Sequence, residues 1–355
     1  MQFNLKLLCT RVHILKIMKS PTRNDVAKIA KVSPTTVSRA LSGSPLIPEK
    51  TAARIRKIAL QLGYSPNILA SRFALKRSFQ IAFAIEFNGG RVRKGPIQLG
   101  YYSGILDGII SSAYPEKYSV LIKPYKEESE IEALNLIKSW LSREIDGIIF
   151  ASLERNSVMI PVLTKSKMPF VIIGSLYKNL PSLTIDFYEP YLSIMKLIKS
   201  KHKQSFIFLA GDKRYEYAIR QEKSLKQAAK KMKLKISAIL EGDYSWKCGY
   251  SLAPEIIKKE GKNGVAIFAN DRMAAGFYRY CYEQNIKIPY DISVVGADKD
   301  PVADGLYPSL TTIVQPRLKM GKEAFFLLKE CIENKEQQNR KNLIISQEVL
   351  LRESL

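Results

Sequence analysis

The sequence predicts an α/β protein in which a small head of three short helices precedes two lobes of parallel sheet. Three features of the chain carry this expectation. Residues 22–64 hold short amphipathic stretches punctuated by capping residues. From Phe79 onward, apolar runs alternate with longer helix-like stretches: "IAFAIEF", "YSVLIKPY", "DGIIFAS", "FVIIGS", "FIFLAGD", "ISAILEGD", "VAIFAND" and "ISVVGAD". Continuous apolar strands separated by helices are the pattern of parallel sheets covered on both faces. Lastly, about ten strand candidates are more than one doubly wound sheet usually holds, so two lobes facing a cleft is the economical arrangement. A length of 355 residues agrees with two or three units.

The elements follow in order. Thr22 caps a first helix, and Asp25 stands where a capping box needs its acid. Val26, Ile29 and Ala30 form that helix's apolar face, and Lys31-Val32 makes a brief turn. Ser33 caps a second helix with Pro34 at its first position. Val37, Ala40 and Leu41 repeat at helical spacing, and Ser42-Gly43 ends the helix. A third helix carries Ile55, Ile58, Ala59 and Leu62 on one face and stops at Gly63. Residues 65–78, "SPNILASRFALKRS", open on Ser65-Pro66 and form either a short helix or a linker. In the strands beyond, ligands are expected at the carboxyl ends.

Charge separates the head from the rest. The formal net charge is +23, and residues 19–78 hold 12 Lys and Arg against only Asp25 and Glu49. Such density suits a module that binds a polyanion. The remainder is also Lys-rich, so a general compositional bias competes as an explanation. No apolar run is long enough to span a bilayer. The opening segment "MQFNLKLLCTRVHILKIMKS" is broken by Lys6, Arg11 and Lys16 and lacks a cleavage site, so an export signal is not expected. Cys9, Cys248, Cys281 and Cys331 stand far apart, which argues against a zinc ribbon or disulfide framework and fits a reducing cytoplasm.

Catalytic groups are scarce. The two histidines are His13, in the opening segment, and His202, where a turn is expected. A Ser-His-Asp site or a His-bound metal is poorly supported. "GRVRKGP" places Gly90 and Gly95 at phosphate-loop spacing, but Pro96 and Ile97 replace the required Lys and Ser/Thr. No GxGxxG opens a helix after a strand. An α/β protein so equipped is expected to be a binder rather than an enzyme, with no cofactor and no metal.

The stretch "VSPTTVSRALSG" suggests what the head binds. Two short helices joined by a tight turn make a helix-turn-helix, whose second helix enters the DNA major groove N-terminus first. Short hydroxyls fit there. Ser33, Thr36 and Ser38 can donate to phosphate oxygens, helped by the positive helix N-terminus. Thr35 can touch a base edge or a thymine methyl, and Arg39 can reach a guanine edge with two hydrogen bonds. The competing assignment is that these hydroxyls merely cap and solvate a surface helix.

Motif order resolves the choice. "NDVAKIAKVSPTTVSRALSG", "GYSPNILASRFAL", "DGII", "IFANDRMAAG", "DISVVGAD", "P.LTTI.QP..KMG" and "LLRES" appear in sequence. From about residue 21 onward the chain resembles the LacI/GalR family of bacterial transcriptional regulators. The resemblance implies a helix-turn-helix head, a hinge that becomes helical on operator DNA, and a two-lobed core like that of periplasmic sugar-binding proteins. It implies base-reading positions at Pro34, Thr35 and Arg39, a DNA contact at Asn67 in "GY.PN..A", and a minor-groove wedge at Phe73. The family has leucine at the wedge, and phenylalanine is among the side chains able to intercalate. Proline at position 34 lacks a donor, which weakens hydrogen-bonded readout there. The resemblance places effector contacts at Arg220, Asn270, Asp271 and Asp298. An amide, two carboxylates and a guanidinium suit multi-hydroxyl sugars, whose hydroxyls both donate and accept. Each has a plainer role available: Asn270-Asp271 can cap the following helix, Asp298 can be a turn acid, and Arg220 a surface arginine. The family's Asn-Pro-aromatic segment is replaced here by "NGGRVRKGPIQLGYYSG".

The expected organisation is an N-terminal extension over 1–20, which is a disordered tail or residues upstream of a start at Met18, with a genuine extra helix packed on the head as the rival. A helix-turn-helix domain over 21–64 and a hinge over 65–78 come next. The two-lobed, effector-binding and dimerising core spans 79–355. Its first lobe takes about 79–183 and 316–338, its second about 184–315 and 339–355. The functional expectation is a cytoplasmic, homodimeric, DNA-binding regulator of carbohydrate-utilisation genes, with operator affinity set by a small molecule, most simply a sugar. A periplasmic-type sugar-binding protein with no DNA role is the alternative, and an enzyme on the same scaffold is a third, weaker one.

Overall fold

A computed structural model of the chain describes residues 21–65, 77–86, 99–126, 129–141, 145–177, 179–261, 263–334 and 341–355. The expected extension over 1–20, Asn67, Phe73 and most of the hinge lie outside the described residues. Two compact units divide between Arg77 and Ser78.

The first unit contains α1 (Arg23–Ala30), α2 (Pro34–Leu41) and α3 (Glu49–Leu62). Local chemistry sets their ends. At α1 the Thr22 hydroxyl accepts the Asp25 N–H while the Asp25 carboxylate accepts the Thr22 N–H at 2.7 Å, closing the capping box. Lys31 turns the chain at φ +52. Ser33 then caps α2 with Pro34 at its first position, and Gly63 ends α3 at φ +67. Val26, Ala30, Val37, Ala40, Ala52, Ile55 and Ala59 form a core of small side chains. Ile29 departs from expectation. It is 55% exposed, and Ala27 is buried in its place. The three helices are too short to cover a wider face.

The second unit is the two-lobed core. Its first lobe has a six-stranded sheet in the order β11-β5-β4-β3-β1-β2, with every pair parallel. These strands are β1 (Gln80–Glu86), β2 (Ser119–Tyr125), β3 (Gly147–Phe150), β4 (Phe170–Ile173), β5 (Ser182–Ile185) and β11 (Asn342–Ile345). Between them run α4 (Leu99–Ala113), α5 (Glu130–Leu141) and α6 (Met159–Lys165). Asp146, from the "DGII" motif, accepts the N–H groups of Ser78 and Phe79 at 2.7 and 2.9 Å and so anchors the start of β1.

The second lobe has the order β12-β10-β9-β8-β6-β7, parallel except for β12 on β10. Its strands are β6 (Ser205–Ala210), β7 (Lys235–Glu241), β8 (Gly264–Phe268), β9 (Ile292–Asp298), β10 (Thr311–Val314) and β12 (Glu348–Leu350). Its helices are α7 (Tyr188–Ser200), α8 (Glu216–Met232), α9 (Trp246–Ser251), α10 (Ala253–Glu260) and α11 (Asp271–Glu283). The last helix, α12 (Arg317–Glu333), packs back on the first lobe.

Two of the three expected lobe boundaries need correction. The expected break at 183 falls inside β5, which pairs with β4 in the first lobe. The expected return at 339 precedes β11, which pairs with β5 through Asn342↔Ser182. The chain therefore crosses between lobes after β5, after β10 and after β11. Short strands of four residues with polar ends gave little apolar signal.

Helices α4 and α12 meet through two glycines. A Cβ on Gly108 would lie 2.1 Å from the Leu318 carbonyl oxygen, and one on Gly321 would lie 2.0 Å from that of Ile105. Neither site has room for a methyl group. Gly108→Ala is therefore expected to force the helices apart and cost about 1–3 kcal/mol by overpacking. The denaturant midpoint of the full chain should fall accordingly, and an unchanged midpoint would refute this packing.

Candidate functional site

In the head, α2 offers the candidate DNA-reading surface. Ser33 Oγ accepts the Thr36 N–H at 3.1 Å and shares a hydrogen bond with the Thr36 hydroxyl at 2.9 Å. Two of the four hydroxyls thus build the helix start. Ser38 Oγ accepts from Arg23 Nη1 at 3.3 Å. Pro34 is half-buried, whereas Thr35 and Arg39 are exposed. Among the described residues, the Thr35 hydroxyl and the Arg39 guanidinium make no hydrogen bond or ion pair, so both remain available to a ligand.

The core holds a cavity between its lobes. About 640 Å³ of empty space, open mouth included, lies within it. The first lobe contributes Tyr101 and Tyr102 from α4, Ala151 and Ser152 after β3, and Gly174 after β4. The second contributes Tyr215, Tyr217, Tyr244, Ala269, Asn270 and Asp298. Apart from the α4 tyrosines, the lining follows or ends a parallel strand at its carboxyl end.

Asn270 serves two purposes. Its Oδ1 caps α11 by accepting the Met273 N–H at 2.9 Å, and its Nδ2 donates to the Tyr244 carbonyl at 3.0 Å. It lines the cavity while holding the Tyr244 loop in place. Asp298 ends β9 and is 8% exposed. Its backbone stands at φ +106, a conformation that costs a non-glycine residue on the order of 1–3 kcal/mol. Gln315 bridges to it, donating from Nε2 to Asp298 Oδ1 at 2.6 Å and to the Tyr217 hydroxyl. Burial, then the neighbouring Asp271, holds the Asp298 carboxyl well above the usual carboxylate range.

Asp271 and Arg220 lie outside the cavity lining. Asp271 is fully buried; its Oδ1 accepts the Thr312 hydroxyl at 2.7 Å and its Oδ2 the Asp300 N–H at 2.8 Å. That carboxylate is engaged within its own lobe. Arg220 is half-buried on α8, where burial lowers its pKa against the pull of Glu216 and Asp186. Its Nη1 is buried without a hydrogen-bond partner among the described residues.

Around these groups run further polar ties. Arg272 Nε donates to Asp300 Oδ2 at 2.9 Å, and Arg317 Nη2 donates to the Lys299 carbonyl at 2.9 Å. The Arg317 guanidinium also stands 6.0 Å from the Tyr101 ring centre. At the other side, loops after β3 and β6 clasp. Arg155 N–H donates to the Arg214 carbonyl at 2.9 Å, and Arg214 pairs with Glu154 at 3.1 Å. Arg155 approaches Glu216 at 3.5 Å.

Sequence reasoning missed the five tyrosines, Ser152 and Gln315. The signal was present for several of them. Tyr215, Tyr217 and Tyr244 closely follow strands named from the sequence, and Tyr101-Tyr102 end the anomalous segment. Polyol chemistry drew attention to carboxylates and amides instead.

Comparison with known proteins places this geometry. Residues 22–67 match the family described as "Bacterial regulatory proteins, lacI family", and residues 195–355 match the "Periplasmic binding protein-like domain". The chain is 28% identical to catabolite control protein A of Priestia megaterium, over 88% of this chain and 92% of that protein. Its fold resembles a Lac repressor dimer bound to operator and the anti-inducer ONPF, with a TM-score of 0.79 and 23% identity, covering 95% and 99% of the two chains. A transcriptional regulator CelR–cellobiose complex aligns at TM-score 0.69 and 21% identity, covering 94% and 100%. The relatives are regulators rather than enzymes.

The buried Asp271 carboxyl yields a measurable signature. Desolvation, outweighing its two hydrogen bonds, pushes its pKa up from 3.8 to about 7. A carboxyl protonated in the fold but ionised in the unfolded chain contributes stability that is full below pH 4 and is lost as pH rises through about 7. Asp271→Asn should therefore flatten the fall in core stability between about pH 4 and pH 7. Parallel melting-temperature profiles for variant and wild type would show instead that this carboxyl is ionised in the fold.

Proposed function

The chain belongs to the LacI/GalR family of bacterial regulatory proteins, and on that premise we propose that it represses carbohydrate-utilisation genes under control of a small polyol. It is a DNA-binding transcriptional regulator whose grip on operator DNA is modulated by an effector. The reading rests on one pairing: an exposed Thr35/Arg39 edge on α2 and, in the same chain, a cavity at the carboxyl ends of two sheets. A periplasmic-type binding protein without a DNA role would have no use for the first. The CelR complex carries cellobiose in its name and a LacI family regulator from Enterococcus faecium carries bound ribose, which supports a sugar-class effector here.

In this proposal, the protein works in the cytoplasm as a homodimer on a two-fold symmetric operator. Among the described residues no helix is long and apolar enough to cross a membrane. Arg39 reads a guanine edge, and Thr35 contacts a base edge or thymine methyl. Pro34 packs against the groove without donating. Ser33, Thr36 and Ser38 lie at phosphates, with Asn67 and Phe73 contacting DNA from the hinge. Asn270 and Asp298 bind effector directly. Asp271 acts through the shape of the second lobe, and Arg220 through its unpartnered Nη1.

Two measurements bear on this. Arg39→Ala should weaken binding to an operator selected from random duplexes by about 1–3 kcal/mol and relax preference at one base per half-site. A wild-type ratio of specific to non-specific binding would reduce Arg39 to a phosphate contact. Coupling must also be reciprocal. A polyol that changes operator affinity by about 5–150-fold should have its own affinity changed by the same factor when operator is present. Calorimetric titration with and without operator decides this; a polyol binding equally in both would sink the effector role.

A further inference from the structure

The described residues of the head include two carboxylates, Asp25 and Glu49, and both are taken. Asp25 accepts the Thr22 N–H and hydroxyl at 2.7 and 2.6 Å within the capping box. Glu49 pairs with Arg56. Against them stand four arginines, Arg23, Arg39, Arg54 and Arg56. Three of these have a task already. Arg56 answers Glu49, and Arg54 Nη2 donates to the Ala30 carbonyl at the end of α1 at 3.2 Å. Arg39 projects from the exposed face of α2. Arg23 is left over.

Arg23 opens α1, where a cation opposes the helix macrodipole. No carboxylate offsets that cost, since Arg23 forms no ion pair among the described residues. Its Nη1 donates instead to Ser38 Oγ on α2, at 3.3 Å. Both side chains are exposed. Local helix chemistry therefore gives no reason for an arginine here, and the bond it makes leads to the DNA-reading helix. Ser38 follows Thr35 by one helical turn and adjoins Arg39. Its oxygen accepts from Arg23, and among the described residues its hydrogen meets no acceptor. What the pair presents outward is positive charge and hydrogen-bond donors.

In a helix-turn-helix the second helix enters the groove while the first crosses the sugar-phosphate backbone. A side chain that ties the start of α1 to the middle of α2 stands where that backbone passes. We propose that Arg23 and Ser38 form a clamp on one backbone phosphate. Arg23 supplies the charge and a forked contact, of the kind that suits phosphate oxygens. Ser38 holds the guanidinium in place and donates its own hydrogen. The inference rests on the DNA-binding reading above and adds a contact that fixes register without reading sequence. It divides the labour of two exposed arginines: Arg39 discriminates bases, and Arg23 sets where the head sits.

Salt separates the two roles, because each phosphate neutralised adds about 0.9 to the slope of log affinity against log salt. The full chain would be titrated between about 50 and 200 mM salt with an operator selected from random duplexes and with a random-sequence duplex of equal length. Arg23→Ala should lower the slope by about 0.9 for each head on both duplexes. It should weaken both by the same factor and leave their affinity ratio at the wild-type value. Arg23→Gln should behave alike, since it can reach Ser38 but carries no charge. Arg23→Lys should recover the slope and only part of the affinity, because an ammonium lacks the planar fork. A wild-type slope in Arg23→Ala overturns the clamp. A lost slope that Arg23→Lys fails to recover also overturns it, because the side chain then supports the fold of the head instead of meeting charge. A changed affinity ratio at wild-type slope makes Arg23 a base reader and overturns the phosphate placement. If the wild type binds neither duplex, this proposal and the DNA-binding reading fall together.

Discussion

The cavity end of the second lobe is assembled around the buried carboxyl group of Asp271. One oxygen takes the Thr312 hydroxyl from β10, the other the N–H of Asp300 from the loop after β9. Since Asp271 opens α11, three elements are tied at one point. The tie also dictates sequence. A Cβ at Gly296 would stand 2.1 Å from Asp271 Oδ1, so β9 must carry glycine there. Two residues on, the same strand delivers Asp298 to the cavity in its strained backbone conformation. A residue expected to touch the effector therefore holds the frame that carries the cavity-lining Asp298. Burying so many carboxyls with so few countercharges is costly, and such costs are tolerated where a site must be ready for a partner.

The head was legible because its ends are written in local chemistry. Thr22 with Asp25, Ser33 with Pro34, and Gly63 each act within a few residues, so reading neighbours suffices. Ile29 was misplaced because helical spacing alone does not reveal how narrow a three-helix core is. The lobes were legible through long apolar strands, while β5 and β11, four residues each, left the boundaries uncertain. Strand ends could be inferred, and the family resemblance put Asn270 and Asp298 at two of them. The direction in which Asp271 points could not, because a residue in a first helical turn can face cavity or core. Gln315 was hidden for another reason: it lies far along the chain from Tyr217 and joins it only once the second-lobe sheet brings β6 and β10 together.

Contacts between the lobes and within them differ in strength. The Glu154–Arg214 and Arg155–Glu216 pairs are partly exposed, and such pairs are worth about 0–1 kcal/mol each. They guide the loops together without locking them. The glycine-mediated seat of α12 on α4 is rigid by comparison, because backbone meets backbone. Relative motion of the lobes is thus easier at the clasp than within either lobe.

The stitching of residues 348–355 into the second lobe has a consequence in time. Ser354 is buried; its Oγ accepts the Thr311 N–H at 2.8 Å and donates to the Val294 carbonyl at 2.6 Å, while β12 pairs with β10. A ribosome delivers the three helices of the head early, since their core involves nothing beyond residue 64. The second lobe cannot close its sheet edge until the segment carrying Ser354 has left the exit tunnel. For most of each round of synthesis, a nascent chain therefore has a finished head and an unfinished lobe. A message cut short before this segment would yield heads without a completed sensor, and the exposed edge of β10 would mark such products for chaperones and proteases.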